Sequence, residues 1–293
     1  MKEKTSSRLD QLVPGLVFAI TGIVFLPVIN WLLHQTIAHE QLLHSCLVFL
    51  LSMSLLVYEQ RIRFKPVLDF GPGSQNLLIV SYAVLVVAVF TKFSLIILVA
   101  LALSLAAFMF YLFGKEQKRL IISAIAAFAL FSSVALFLPV LDWPLRTVAG
   151  QWASSGLKLF GQSSELGLMD SQSGPMLMLI SNSRPFHVAA ECNGFGMISS
   201  CMLMALIIVL YRKITVADRL TWIGIALIIG VFFNSFRIIA IVLLAPMLPD
   251  SAYMPMHEIV GLITTYGGLG VLYYFLMPGN KDDSDNKGVA DWL

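Results

Sequence analysis

The chain has 293 residues, of which 58% are hydrophobic and only 12% are charged, whereas soluble domains are typically about 45 to 50% apolar and about 25% charged. This composition excludes an ordinary soluble domain and a disordered chain. Lysine and arginine total 19 against 17 acidic residues, so the charge is too balanced to predict a nucleic-acid-binding surface. Three cysteines are too few for a disulfide framework.

Long apolar runs predict about eight transmembrane helices, because a helix needs roughly 20 apolar residues to cross a hydrocarbon core of about 30 Å. In chain order, the predicted spans are approximately residues 12–33, 42–58, 76–91, 93–113, 120–141, 191–211, 220–237 and 257–277. The first span is too long for a secretory signal and lacks small residues at its end, so we expect a retained anchor. The predicted fold class is an all-α polytopic membrane protein with a short extracytoplasmic helix and hairpin segment.

The distribution of lysine and arginine predicts that both termini are cytoplasmic. With that orientation, 14 of the 19 basic residues fall in cytoplasmic segments, as the positive-inside rule requires. They are Lys2, Lys4, Arg8, Arg61, Arg63, Lys65, Lys115, Lys118, Arg119, Arg212, Lys213, Arg219, Lys281 and Lys287. We therefore expect a multi-pass protein of the cytoplasmic membrane, surrounded by lipid.

The spans divide the chain into four predicted regions. Residues 1–141 form a five-helix transmembrane region, and residues 142–190 form an extracytoplasmic segment. Residues 191–277 form a three-helix transmembrane region, and residues 278–293 are a polar cytoplasmic tail with the composition of a disordered segment.

Two elements are predicted within the extracytoplasmic segment. Residues 145–161 carry apolar positions at helical spacing and end in glycine, which favours a helix lying on the membrane surface. Residues 174–190 contain two apolar runs on either side of Ser-Asn-Ser-Arg-Pro, a pattern typical of a β-hairpin.

Reactive side chains fall at the ends of the last three predicted spans. Cys192 opens the sixth span, Arg237 closes the seventh and His257 opens the eighth. Because successive spans alternate in direction, we expect all three at the same outer membrane depth. Small or short polar residues on the same helix faces would let these helices approach closely, namely Gly196, Ser199, Gly230, Asn234, Gly261, Thr264 and Gly268.

These residue types suit cysteine nucleophilic catalysis. In the first turn of its predicted helix, Cys192 would meet the positive end of the helix dipole, and Arg237 would add a full charge that favours the thiolate. Backbone N–H groups near Asn193 and Gly194 could receive an oxyanion. His257 could take the thiol proton and return a proton to a leaving amine.

At these residues the chain resembles the exosortase and archaeosortase family of membrane-embedded, cysteine transpeptidase-like enzymes. The family combines a cysteine in a small-residue motif, an Asn-x-x-Arg motif near a span end, and a histidine at the start of the last span. Here these motifs read AAECNGFG around Cys192, NSFR ending at Arg237, and MHEIVG around His257. The resemblance covers roughly residues 140–277, although many exosortases have Cys-Ser-Gly followed by arginine where this chain has Asn193 and Gly196.

The resemblance implies a membrane-embedded cysteine peptidase or transpeptidase. Its substrates would be exported proteins that end in a PEP-CTERM-like sorting signal, which consists of a short motif, a membrane helix and a basic tail. Cleavage would occur at the outer face of the membrane, with possible transfer to an envelope acceptor. Cys192 would be the nucleophile, His257 the general acid/base and Arg237 the electrostatic stabiliser, with no cofactor, no metal and no nucleic-acid partner.

Several other histidine, glutamate and cysteine residues are considered as candidates for a functional role. His187 and Glu191 are nearby candidates to orient or replace the base, but each is more often a solvated interface residue. Cys46 and Cys201 lie in apolar runs and are expected to be structural. Three histidines around the first loop suggest a metal site, but a solvated loop is the simpler interpretation of His34, His39 and His44.

Two non-peptidase interpretations remain open. One is a membrane transporter or lipid-flipping protein, and the other is a non-catalytic assembly subunit. A transporter would favour ionisable groups at mid-membrane depth, whereas no Asp, Glu, Lys or Arg lies in the middle of a predicted span. An assembly subunit would have no need to align cysteine, arginine and histidine at one depth.

Overall fold

Eight α-helices and one small sheet make up the part of the protein that the structure, a computed structural model, describes: residues 8–64, 66–171, 174–188 and 193–277. The helices are α1 (Arg8–Ala38), α2 (Glu40–Glu59), α3 (Pro72–Thr91), α4 (Ser94–Phe113), α5 (Lys118–Leu159), α6 (Phe195–Tyr211), α7 (Val216–Leu244) and α8 (Asp250–Leu276). The strands β1 (Ser164–Ser171), β2 (Gly174–Ser181) and β3 (Arg184–His187) lie between α5 and α6 in the chain.

The helices are those of a polytopic membrane protein. In the described ranges, seven helices are long and apolar enough to cross a bilayer, and α6 is an apolar helix of 17 residues. Each predicted span coincides with one of the eight helices. The predicted all-α membrane fold is therefore confirmed, with a three-stranded sheet added to the bundle.

Helix α6 lies at the centre of the C-terminal half, where it packs against α2, α5, α7 and α8. Its sequence is apolar around the whole helix, as expected for a helix enclosed by others. Close approach depends on small residues: a Cβ added to Gly230 of α7 would lie 2.8 Å from the Cα of Ile198. Ser45 of α2 and Ser199 of α6 add a buried hydroxyl contact of 2.6 Å.

The predicted surface helix is not a separate element. α5 is one helix of 42 residues that continues through Pro139 and Pro144, and at 1.5 Å per residue it is about 63 Å long. That is about twice the thickness of the hydrocarbon core. Proline removes one hydrogen bond from the helix interior, but the distal part is held by packing of Ala149 and Ala153 in a core shared with β2 and α7.

The predicted hairpin is present as β2 and β3. Asn182 and Ser183 join them with φ values of 48° and 67°, the two positive values that a type I′ hairpin turn requires. β1 was not predicted. It pairs antiparallel with β2 and completes a sheet of order β1-β2-β3.

Among the helix ends that differ from the predicted boundaries, three lie near the predicted site residues. α6 begins at Phe195 rather than 191, α7 continues seven residues beyond Arg237, and α8 begins seven residues before His257. The predicted spans stopped at polar residues, because hydropathy marks where a segment leaves lipid. The backbone hydrogen bonds of a helix do not depend on that boundary. Arg237 and His257 therefore lie about two turns inside their helices.

An open apolar groove of about 610 Å³ lies between α1, α4 and α5 in the N-terminal half. Gly15, Ala19 and Gly22 line one wall on α1, while Phe108 of α4 and Phe128 of α5 lie on the other side. None of the residues that line this groove is among the predicted site residues.

Candidate functional site

The candidate site lies at the end of the bundle that carries the sheet, and its described part starts immediately after the cysteine. Cys192 and Glu191 fall outside the described residues. α6 begins at Phe195 with Gly194 as its N-cap, so the predicted helix start at 191 is wrong. Asn193 and Gly194 are buried and form the connection between the cysteine and the helix.

The Asn193 side chain makes hydrogen bonds through both ends of its amide. Its Nδ2 donates to Asp142 Oδ1 of α5 at 2.6 Å, and its Oδ1 accepts from the Phe195 N–H at 2.8 Å. Asp142 in turn forms an ion pair with Arg146, one helical turn further along α5. The middle part of α5 thereby holds the residue that follows Cys192.

Gly194 packs directly on α7. Its φ is +79°, a left-handed conformation that favours glycine. A Cβ at this position would lie 2.7 Å from Nδ2 of Asn234 and 2.8 Å from its Cγ. Asn234 is only 3% exposed and lies one helical turn before Arg237. The segment after the cysteine is therefore in contact with the turn of α7 that precedes the arginine.

Arg237 lies against α8. A Cβ added to Gly261 would be 3.0 Å from Nη2 of Arg237, 3.1 Å from Cζ and 3.2 Å from Nε. The absence of a side chain at 261 thus makes room for the whole guanidinium group. Four residues, or about 6 Å of helix rise, separate Gly261 from His257 on the same face of α8.

His257 borders an open pocket between the sheet and the two last helices. The pocket is small, with a volume of about 20 Å³, and is lined by His187 and Phe186 of β3, by Ile238 of α7 and by Tyr253 of α8, among others. The Tyr253 and His257 rings lie side by side with centroids 6.3 Å apart. The structure therefore brings His187 and His257 to one pocket, although they are 70 positions apart in the chain.

The described contacts form a continuous path across three helices. Gly194 touches Asn234, Arg237 follows one turn later on α7, the guanidinium rests on Gly261, and His257 is one turn away on α8. Two of the three predicted site residues, Arg237 and His257, thus lie on facing stripes of neighbouring helices.

Sequence reasoning missed Asp142 and Arg146. Their four-residue spacing on one helix was visible in the sequence, and such spacing commonly forms an ion pair. What the sequence did not reveal is the partner of Asp142, because Asn193 lies 51 residues further along the chain. Tyr253 was missed because the eighth span was predicted to begin after it.

No group of three or more His, Cys, Asp or Glu side chains in the described ranges is arranged to hold a metal ion. Of the three histidines near the first loop, His44 lies 3.3 Å from Glu40 of its own helix.

Comparison with known families gives one assignment. The sequence model of the transmembrane exosortase family (Exosortase_EpsH) matches residues 13–274. Searches of the curated proteins and of the solved structures found no match. The family match covers both the N-terminal helices and the helices that carry Asn234, Arg237 and His257. The chain therefore belongs to the transmembrane exosortase family.

Proposed function

We propose that the protein is a cysteine peptidase or transpeptidase that processes C-terminal sorting signals of exported proteins at the outer face of the cytoplasmic membrane. The roles proposed are nucleophile for Cys192, general acid/base for His257 and electrostatic stabiliser for Arg237. The substrate would carry a short motif, a transmembrane helix and a basic tail. A transporter or lipid-flipping function remains the alternative.

The observation that supports this proposal most directly is the contact of Arg237 with Gly261. The guanidinium group lies against Gly261, and Gly261 is one helical turn from His257 along α8. The contact of Gly194 with Asn234 brings the chain, two residues after Cys192, to within one turn of the same arginine. Arginine is rare within membrane-spanning helices such as α7, and where it occurs it usually has a function.

The first chemical step would be attack by the Cys192 thiolate on the scissile carbonyl carbon. A C–S bond forms and the carbonyl π electrons move to oxygen, where the positive charge of Arg237 stabilises the oxyanion. The carbonyl then re-forms as the C–N bond breaks, and protonated His257 donates its proton to the leaving amine. The released product carries the transmembrane helix and the basic tail.

The second step would resolve the thioester. Water, or a hydroxyl or amine of an envelope acceptor, attacks the thioester carbonyl while neutral His257 takes the proton of the attacking group. The C–S bond breaks, the thiolate is regenerated, and protonated His257 is ready for the next cycle. Attack by water is hydrolysis, attack by an acceptor amine is transpeptidation, and attack by an acceptor hydroxyl transfers the acyl group to form an ester.

The test is processing of an exported, epitope-tagged reporter that ends in a motif, a transmembrane helix and a basic tail. Cys192→Ala should abolish the shift of the reporter to the shorter form, while membrane insertion of the protein persists. Cys46→Ala is the matched control, because it removes a thiol from α2 that is outside the proposed site. Full processing by Cys192→Ala would exclude the peptidase and leave the transport alternative.

A further inference from the structure

We propose that Asp142 is a positioning residue for this reaction: it holds Asn193 and, through Asn193, fixes the peptide that carries Cys192. This inference rests on the proposed function, because it concerns the same nucleophile. Asp142 belongs to α5, whereas Cys192, Arg237 and His257 belong to the later part of the chain. The catalytic segment would therefore depend on a helix that supplies none of the three reacting groups.

The geometry fixes the orientation of the Asn193 amide. Nδ2 can only donate and Oδ1 can only accept, and the two ends are bound to Asp142 Oδ1 and to the Phe195 N–H, respectively. Asn193 is 2% exposed, and its bond from the Phe195 N–H is buried, so water competes little for its amide. A hydrogen bond to a charged group is also stronger than one between neutral groups. The backbone on the C-terminal side of Cys192 is thus restrained from two directions.

The two hydrogen bonds of Asn193 have different roles, and a substitution can remove one of them while it retains the other. The bond from Phe195 N–H satisfies a backbone donor in the first turn of α6, which is a capping role that a serine hydroxyl can also perform. The bond to Asp142 adds nothing to capping. It links the segment to α5, and a serine at 193 is too short to maintain it. Asn193→Ser therefore removes the positioning contact while it retains a capping oxygen.

Arg146 pairs with the carboxylate of Asp142. Its Nε lies 3.1 Å from Asp142 Oδ1, and its Nη2 contacts Oδ2. The side chains of Arg146 and Asp142 are 18% and 27% exposed, so solvent screens the pair only in part. The arginine offsets the negative charge of Asp142, so that little net negative charge is added beside Asn193, the residue that follows Cys192.

Thiol alkylation distinguishes positioning from simple electrostatics. In a Cys46→Ala/Cys201→Ala background, a membrane-impermeant maleimide reports on Cys192 alone. If Asp142 acted only through its charge, Asp142→Leu would increase the alkylation rate, because a negative charge is removed. If Asp142 holds the thiol in its activating environment, the same change should lower the rate, by about tenfold, as the segment shifts by a fraction of an ångström.

Reporter cleavage provides the second measurement. Asp142→Leu and Asn193→Ser should each lower kcat by about 10- to 100-fold with little change in KM, because orientation rather than substrate binding is lost. Asp142→Asn retains an acceptor oxygen and should recover most of kcat. The Asp142→Leu/Asn193→Ser double variant should be no slower than the slower single variant, because both changes break one interaction.

Thr147→Val is the matched control on α5. Its hydroxyl donates to the carbonyl of Trp143 in the same helix, so the variant removes a side-chain hydrogen bond near Asp142 without affecting Asn193. Thermal unfolding in detergent checks that each variant is folded.

Wild-type kcat in Asn193→Ser, or faster alkylation in Asp142→Leu, would overturn the positioning role of Asp142, while loss of cleavage in Cys192→Ala would still support the proposed function. Full cleavage by Cys192→Ala would refute the proposed function itself.

Discussion

The guanidinium group of Arg237 rests on the backbone of Gly261, with three of its atoms 3.0 to 3.2 Å from where a Cβ would stand. Glycine at 261 therefore determines how closely the arginine approaches α8 and the turn that carries His257. A side chain at this position would compete with the guanidinium for the same space.

Gly261→Ala should lower the rate of reporter cleavage by about tenfold, because the guanidinium must shift by a few tenths of an ångström and small displacements are costly in catalysis. Gly267→Ala is the matched control, since a Cβ there meets no atom within 4 Å. Steady-state kcat for both variants, normalised to membrane-inserted protein, is the measurement. Equal rates in the two variants would show that the packing of Arg237 on Gly261 does not affect the reaction.

Gly194→Ala should reduce both stability and activity. A left-handed conformation costs an L-residue about 1 to 2 kcal/mol, and the added Cβ would also overlap the buried Asn234. Gly161→Ala separates the backbone strain from the steric overlap, because Gly161 has a φ of +76° but no atom lies within 4 Å of an added Cβ. We expect a lower Tm in both variants and a loss of cleavage that is specific to Gly194→Ala. Similar cleavage by the Gly194→Ala and Gly161→Ala variants would argue against a role in the reaction for the contact between Gly194 and Asn234.

The two histidines that line the pocket should differ in their effect on cleavage. If His257 is the general acid/base, His257→Gln should lower kcat by about 10² to 10⁴-fold, the usual contribution of positioned proton transfer. His187 projects from β3 and is exposed, so His187→Gln should cost far less. The measurement is kcat for each variant with the same reporter. A larger loss in His187→Gln would transfer the acid/base role to β3.

Cys192 should react with a water-soluble maleimide, added from outside the cell, faster than either other cysteine. Cys201 is fully buried, and Cys46 lies within α2, whereas an activated thiolate must be open to its substrate. Single-cysteine variants labelled over a time course provide the comparison. Arg237→Gln should slow the labelling of Cys192, because it removes a charge that favours the thiolate. Equal labelling of Cys46 and Cys192 would contradict an activated thiol.

Several elements followed from local sequence patterns alone. The eight apolar runs each correspond to a helix, and the Ser-Asn-Ser-Arg-Pro segment forms the turn of a hairpin. The strand β1 was not apparent, because its residues Ser164–Ser171 lack a strong apolar alternation. The separate surface helix expected at residues 145–161 was wrong, because packing carries α5 through two prolines that are locally unfavourable to a helix.

The amino-acid sequence by itself determined the membrane class, the number of helices and the order of the three motifs, because the transfer of a segment into lipid depends on its own composition. Only the tertiary structure decided that Arg237 rests on Gly261 and that Asp142 holds Asn193. These contacts join residues distant in the chain, and they depend on how helices cross and where small residues let them approach. Such distances follow from packing between helices, which the hydropathy of a single segment does not encode.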